Sequence, residues 1–579
     1  MTRQICTAVV IAALLLATGC ARPNVSGDGG GPEGGPAVGG ALHLSLPAAP
    51  KGVFNPVLYE DQYDGAVLDL VFDGLLRLNE RLEYVCNLCQ SMEISRDSRR
   101  LTFRLKPGIR WHDGEPFTAE DVAFTIRTVL HPEYTGVRTG DFSALLGVER
   151  MLDQRDALAE QVREGRLSPL RAAELRMAGW ETWLKGEGAE AIRVIDPLTI
   201  SFTTSEPYAP ILQSLSIRII PAHIFRDVPV RQMQRHPATR QPVGTGPYRF
   251  VSYRPDQYIE LERFLEYHGG EPFIEKIIYR IVNQDIAVGQ LLAGELDAVR
   301  IRPGDLDLIK NDPNVLVHAL PAYGYQYMGL NHDHPVLGQK AVRQALAYGI
   351  NRQAIVEQLL KGYGKVVSSH LPPVEWAYDP SVLNPYPYDP DKARALLAEA
   401  GWKERNQDGI LVRAGQPLTF TLKYPAGNRI REAAAQLIQA NLKELGIGVE
   451  LQMMEFATLT RQVFDQRKMD AWLLGWSLGL DPDPAAIFLS DSKWGKVTGW
   501  HNPKSDELIR QGVRALSPKD RRPIYTQWIR LINDELPYIF LYSEHDLEAV
   551  RTDRVRGLRP DARGALWNIT ELWIPPDRQ

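Results

Sequence analysis

The chain has 579 residues, too many for one hydrophobic core, and its length predicts roughly three or four domain-sized units. A formal net charge of −5 with 24% charged residues gives no sign of a nucleic-acid partner. Twelve Trp and 22 Tyr predict aromatic-lined recognition surface in addition to core.

Residues 1–20 read as targeting sequence. Arg3 supplies a positive start, and Val9 to Ala17 an apolar run too short to span a bilayer. Small residues then lead to Cys20. The segment resembles a bacterial lipoprotein signal, which implies lipidation of Cys20 and a membrane anchor there. It departs from that pattern in having Ala17, not Leu, three places before the cysteine. An ordinary secretory peptide cleaved nearby is the alternative. Residues 21–41 hold the Gly/Pro-rich SGDGGGPEGGPAVGG, a flexible tether in composition. No second apolar span follows, so the remainder is expected to be soluble and extracytoplasmic.

Leu42 to Leu46 alternates like an opening strand. After it, Leu68, Val71, Phe72 and Leu75 recur at helical spacing. Of the remaining cysteines, Cys6 lies in the signal and Cys86 and Cys89 form C-x-x-C. Half a zinc site lacks its second pair, and redox chemistry lacks its βαβ setting, so a local disulfide in an oxidising exterior is the better reading. Two alternating strands flank a turn at Asp97-Ser98, another turn follows at His112-Asp113-Gly114, and Thr118 caps a helix with Asp121 three residues on. His112 reads as a turn or packing residue.

The block TFRLKPGIRWHDGEPFTAEDVAFTI resembles the signature of the family 5 extracellular solute-binding proteins, the dipeptide-, oligopeptide- and nickel-binding subunits of ABC importers. VGTGPYRF, LLAGELDAVRI, MGLNHDHPVLGQKAVRQALAYGINRQAIVEQLLKGYG and YDPDKARALLAEAGW follow in the same order. The resemblance covers Leu42 to the C-terminus. It implies an α/β, two-lobed periplasmic-binding-protein-like fold (class II, large type with an extra subdomain) and a ligand cleft between the lobes. Lobe one would take residues 42–283, lobe two 284–540, and residues 541–579 would return to lobe one. One departure is residues 143–188, whose two charged helical stretches, the second opening at Ser168-Pro169, read as a solvated hairpin insertion in the outer subdomain.

The stretch Asp470 to Pro484 is an apolar strand breaking into a Gly-rich loop with two Asp-Pro pairs. A carboxylate on a rigid loop beside an indole suits a cationic, partly apolar ligand, although Asp-Pro is also ordinary turn punctuation. The resemblance implies that Asp481 meets a peptide ammonium, that Trp476 lines the pocket, and that Asp483 caps the next helix. It further nominates Arg429, with Arg431 as the alternative, for the ligand carboxylate. Tyr327, Gly329 and Asn331 would offer main-chain hydrogen bonds to an extended peptide, and Tyr59 and Asp61 would line the cleft from the first lobe. The expected function is a lipid-anchored, monomeric receptor that delivers peptides to permease subunits and needs no cofactor or metal. A nickel chelate, oligosaccharide or opine-like solute is the alternative within the fold. A signalling lipoprotein that engages a partner through the hairpin is a third reading. No G-x-S-x-G, H-E-x-x-H or P-loop supports an enzyme.

Overall fold

The computed structural model describes residues 35–579. The signal, Cys20 and residues 21–34 of the tether lie outside the described residues. The end of the tether is already part of the packed chain: the Gly39 amide donates to the Phe273 carbonyl (2.9 Å), and strand Ala41–Leu46 begins two residues later.

A single 12-stranded sheet organises the molecule. Its order from one edge is Gly448–Met454, Thr419–Pro425, Ala471–Ser477, Gly324–Leu330, Tyr538–Arg551, Ala298–Ile301, Ala41–Leu46, Lys276–Ile281, Tyr258–Arg263 and Tyr248–Arg254, with Val315–Pro321 and Gly364–Val366 also paired to the long strand Tyr538–Arg551. Two large cores lie along this sheet. One gathers Leu42 to Ala298 with Val550 to Ile574, the other Tyr325 to Tyr542. They are the two lobes expected from the sequence.

The lobes exchange chain later than 283/284. Helix Gln284–Leu292 packs in a small cluster with Leu547 and Ala549, strand Ala298–Ile301 joins Ala41–Leu46 in parallel, and Val315–Pro321 pairs along the same half of Tyr538–Arg551. Residues 284–321 thus belong to the first lobe's sheet, and the chain crosses at Pro321–Gly324. The return crossing falls inside Tyr538–Arg551, whose first residues join the second core and whose Val550 joins the first.

The helix carrying Leu68 and Val71 ends sooner than its spacing predicts. It spans Gln62–Val71, and Phe72 is extended (φ −125°, ψ 146°). The Gly246 amide takes the Val71 carbonyl (2.9 Å), which closes the helix, while Phe72 and Leu75 stay buried in the same core.

The outer subdomain is a four-stranded antiparallel sheet, Cys89–Ile94, Arg100–Leu105, Thr199–Thr203 and Ile192–Asp196. The expected hairpin is present as helices Val148–Arg163 and Pro169–Lys185, with the Ser168 hydroxyl accepting from the Arg171 amide. It is not merely solvated. Trp180 and Trp183 are buried in the first-lobe core, and the Trp183 indole N–H donates to the Leu146 carbonyl (2.8 Å). Cys86 and Cys89 form a disulfide.

Candidate ligand-binding site

A cleft of about 1020 Å³ opens between the lobes. Asp69, Arg138, Tyr208 and Arg218 line it from the first lobe, Asp481 and Asp483 from the second. Contacts cross it directly. The Asp481 amide donates to Gln213 Oε1 (2.9 Å), the Ala209 amide to the Val513 carbonyl (2.7 Å), and Arg514 pairs with Glu206 (2.6 Å). A smaller side chamber of about 230 Å³ runs into the second lobe, lined by Leu371, Glu375, Trp476, Ile487 and Trp494 together with Asp481 and Asp483.

Strand Ala471–Ser477 delivers Trp476 and the following loop to this place. Inside the lobe the Trp476 ring lies parallel to Tyr327 (5.9 Å between centroids, 3° between planes), and Tyr327 stacks on Tyr538 at 4.3 Å. The indole is therefore set by an aromatic stack beneath it.

Asp481 does not present a free carboxylate. Arg521 grips it bidentately (2.7 and 2.5 Å), and both side chains are almost fully buried, 5% and 7% exposed. Arg521 also donates to the Gly512 carbonyl (3.0 Å) and lies over the Trp376 and Tyr525 rings. The Asp481 carboxylate expected to meet a peptide ammonium thus has its charge already balanced from within.

The unbalanced acids are its neighbours. Asp483 Oδ1 accepts from the Ala485 amide (2.9 Å) in a turn one residue ahead of Pro484, which is the N-cap of helix Ala485–Phe488, and the side chain has no ion-pair partner among the described residues. Burial, then the nearby Asp481, pushes its pKa up to about 7. Glu375 accepts from the Trp376 amide (2.9 Å) and has no ion-pair partner among the described residues; burial and then Asp481 push it up to about 8. From the opposite lobe Tyr84 brings a buried hydroxyl, without a hydrogen-bond partner among the described residues, near Asp481 and Glu375.

None of the other nominated residues lines the cleft or the side chamber. Tyr327 is buried and supports Trp476. Gly329 leaves room for the Trp472 indole, which a Cβ there would meet at 2.1 Å. Strand Gly324–Leu330 is hydrogen-bonded on both sides, to Ala471–Ser477 and to Tyr538–Arg551, so it cannot also pair with a peptide. The Asn331 side chain donates to the Met469 carbonyl (3.1 Å) and accepts from the Asp333 amide. Asp61 caps helix Gln62–Val71 through the Tyr63 and Asp64 amides (2.8 Å each). The Tyr59 hydroxyl accepts from Arg138 (2.9 Å), which ties it to a cleft residue without placing it in the cleft lining. Arg429 is exposed, and Arg431 spends its guanidinium on Gln326 (2.8 Å); neither lines either cavity.

The family model for bacterial extracellular solute-binding proteins, family 5 Middle, matches residues 83–496. The chain belongs to this family. As a family 5 solute-binding protein it is extracytoplasmic. It is 28% identical over 547 residues to the oligopeptide-binding protein AppA of Bacillus subtilis (strain 168), with 93% of each chain covered. The structure of AppA from Bacillus subtilis in complex with a nonapeptide superposes with a TM-score of 0.69 at 26% identity, covering 93% of this chain and 100% of that one. NikZ from Campylobacter jejuni in complex with Ni(L-His) shares the fold with a TM-score of 0.70 at 24% identity, covering 92% and 99%.

In this family 5 chain the signature blocks turn out to be packing partners of one another. His112 Nε2 donates to the Gly246 carbonyl (2.9 Å), and its Nδ1 accepts from the Gly244 amide (3.2 Å). Burial lowers its pKa to about 4, so the ring is neutral and this tautomer is the one that satisfies both contacts. Gly244 lies so close to the end of helix Gln62–Val71 that a Cβ would sit 1.8 Å from the Val71 carbonyl oxygen. His112 is a structural link, as its sequence setting suggested.

Proposed function

We propose that this family 5 protein is the peptide receptor of an ABC importer, lipid-anchored at Cys20 and handing its ligand to membrane permease subunits as a monomer. It binds and releases its cargo and catalyses no reaction. The observation that carries the reading is a pair of acids with no ion-pair partner among the described residues, the buried Glu375 and the half-buried Asp483, beside the Trp476 and Trp494 indoles at the edge of an interlobe cleft. An ammonium entering there meets carboxyl groups that lose their protons to receive it, while an adjoining apolar side chain fills the aromatic chamber. Arg77, in the cleft lining and without an ion-pair partner among the described residues, is available to a ligand carboxylate. The main cleft leaves space for a chain of several residues. The oligopeptide named for the Bacillus subtilis relative and the nonapeptide in its structure support the same cargo. Capture would bring the lobes together about Pro321–Gly324 and the long strand, with Gln213, Ala209 and Glu206 meeting the second lobe as they do here.

Native mass spectrometry of the purified protein, followed by calorimetry with di-, tri- and pentapeptides and an N-acetylated tripeptide, tests this. Free-amine peptides should bind, and acetylation should weaken binding by about tenfold or more, the scale of a charge-assisted hydrogen bond. In a Glu375→Gln/Asp483→Asn variant that preference should vanish. If no peptide binds, the peptide assignment falls, and nickel chelates, oligosaccharides and opine-like solutes become the compounds to titrate.

A further inference from the structure

Helices Val148–Arg163 and Pro169–Lys185 enclose a second cavity, of about 200 Å³, against the end of helix Ala119–Leu130 and the loop that follows it. It shares no lining residue with the interlobe cleft. Leu130, Pro132, Met151 and Leu152 give it an apolar side, His131, Tyr134, Thr139 and Gln154 add polar groups, and Arg155 and Arg176 bring two guanidinium groups to its wall. No Asp or Glu lines it.

The two arginines differ in what they already hold. Arg155 pairs with its sequence neighbour Asp156 (3.0 Å). Among the described residues Arg176 has no ion-pair partner, and its Nε is shut off from solvent with no hydrogen-bond partner. A guanidinium whose N–H is desolvated and unmatched, set beside an apolar wall, lacks an anion that brings its own apolar body. The hairpin is firmly seated, with Trp180 and Trp183 in the first-lobe core and the His131 ring edge-on to Trp180 at 5.6 Å. The cavity is therefore a fixed feature of the subdomain and not a gap under a loose arm.

We propose that this hairpin cavity binds a small organic carboxylate bearing a short alkyl chain or a single aromatic ring, with Arg176 gripping the carboxylate and Leu130, Met151 and Leu152 covering the apolar part. The volume is too small for a nucleotide or an oligopeptide, and a basic lining with no acid disfavours an amine. The site stands independently of the peptide reading of the cleft.

The test uses the full chain and calorimetric titration with sodium benzoate and sodium hexanoate, with benzylamine as the cationic counterpart. Saturable binding of at least one carboxylate and none of the amine is expected. Arg176→Met, which keeps most of the stem, should weaken the carboxylate at least tenfold. Arg171→Met, which removes an exposed arginine paired with Glu174 on the same helix, should leave it unchanged. Met151→Trp, which fills the cavity and leaves both arginines in the sequence, provides a second route to the same loss should Arg176→Met fold poorly. Absence of saturable carboxylate binding to the wild type, or wild-type affinity in both the Arg176 and Met151 variants, would overturn the assignment.

Discussion

Asp481 and Arg521, 40 residues apart in sequence, are nearly inaccessible to water, and each is the other's only ionic partner among the described residues. Removing one side strands a buried charge, which typically costs about 3–5 kcal/mol, whereas replacing both with apolar groups of similar size is often close to neutral. Asp481→Ala should therefore lower unfolding stability in urea by about that amount, and Asp481→Leu/Arg521→Met should regain most of it. A loss of ligand affinity in Asp481→Ala alone would thus report a disturbed loop as much as a missing ligand contact. Glu375 and Asp483 behave differently because both titrate upward. Their carboxyls sit at about 8 and about 7 against ordinary values of 4.5 and 3.8, so between those limits the folded protein holds protons that the unfolded chain has released. Stability from these groups is whole below about pH 4 and drains away as pH rises through 7 to 8. Glu375→Gln removes one of the two, so its melting temperature should gain on the wild type as pH rises from about 4.5 to about 8 and hold that gain above it, readable by scanning calorimetry at each pH. Ligand capture runs the opposite way. Affinity for a free-amine peptide should climb as pH rises toward about 8, where a peptide α-amino group itself begins to deprotonate, and the N-acetylated peptide should show no such climb. Asp481 was legible from its loop and its indole neighbour. Arg521 was not, since KDRRPI at a helix start reads as solvated charge, and Glu375 lay hidden in PPVEWAYDP, where nothing local signals burial.

At the scale of the element, strand Gly324–Leu330 shows why the family resemblance did not carry over to Tyr327 and Gly329. The resemblance implied main-chain hydrogen bonds to an extended peptide, but both edges of the strand are taken by neighbours, so its side chains are largely core and its backbone is spent. Gly329 follows from that position. Opposite it in the ladder stands Trp472, whose indole lies across the glycine. Gly329→Ala should destabilise the second lobe by about 1–3 kcal/mol, the cost of overpacking a fixed core, measured by urea unfolding. The disulfide and the hairpin were both readable as elements, the first from oxidising context and the second from caps and charge. What the hairpin pattern did not disclose is which face is inward, because Trp180 and Trp183 sit in an otherwise charged stretch, and only the core they enter explains them.

For the whole molecule, the two-lobed architecture was legible because ordered signature blocks constrain one another: WHDG and GTGPY are far apart in sequence and meet through His112 and two glycines. The lobe boundary was less legible. Residues 284–321 alternate helix and strand just as the second lobe does, and only the parallel pairing of Leu44 with Ala298 and the antiparallel pairing with the long strand assign them to the first.

The long strand Tyr538–Arg551 has a mechanical meaning as well. It zips to Gly324–Leu330 at one end and to Ala298–Ile301 and Val315–Pro321 at the other, so a pull on it is shared by both lobes. Under tension applied between the termini in an optical trap, the lobes should give way in one rupture and not in two resolved steps. The sheet behaves as a single beam whose break anywhere along this strand releases the whole load.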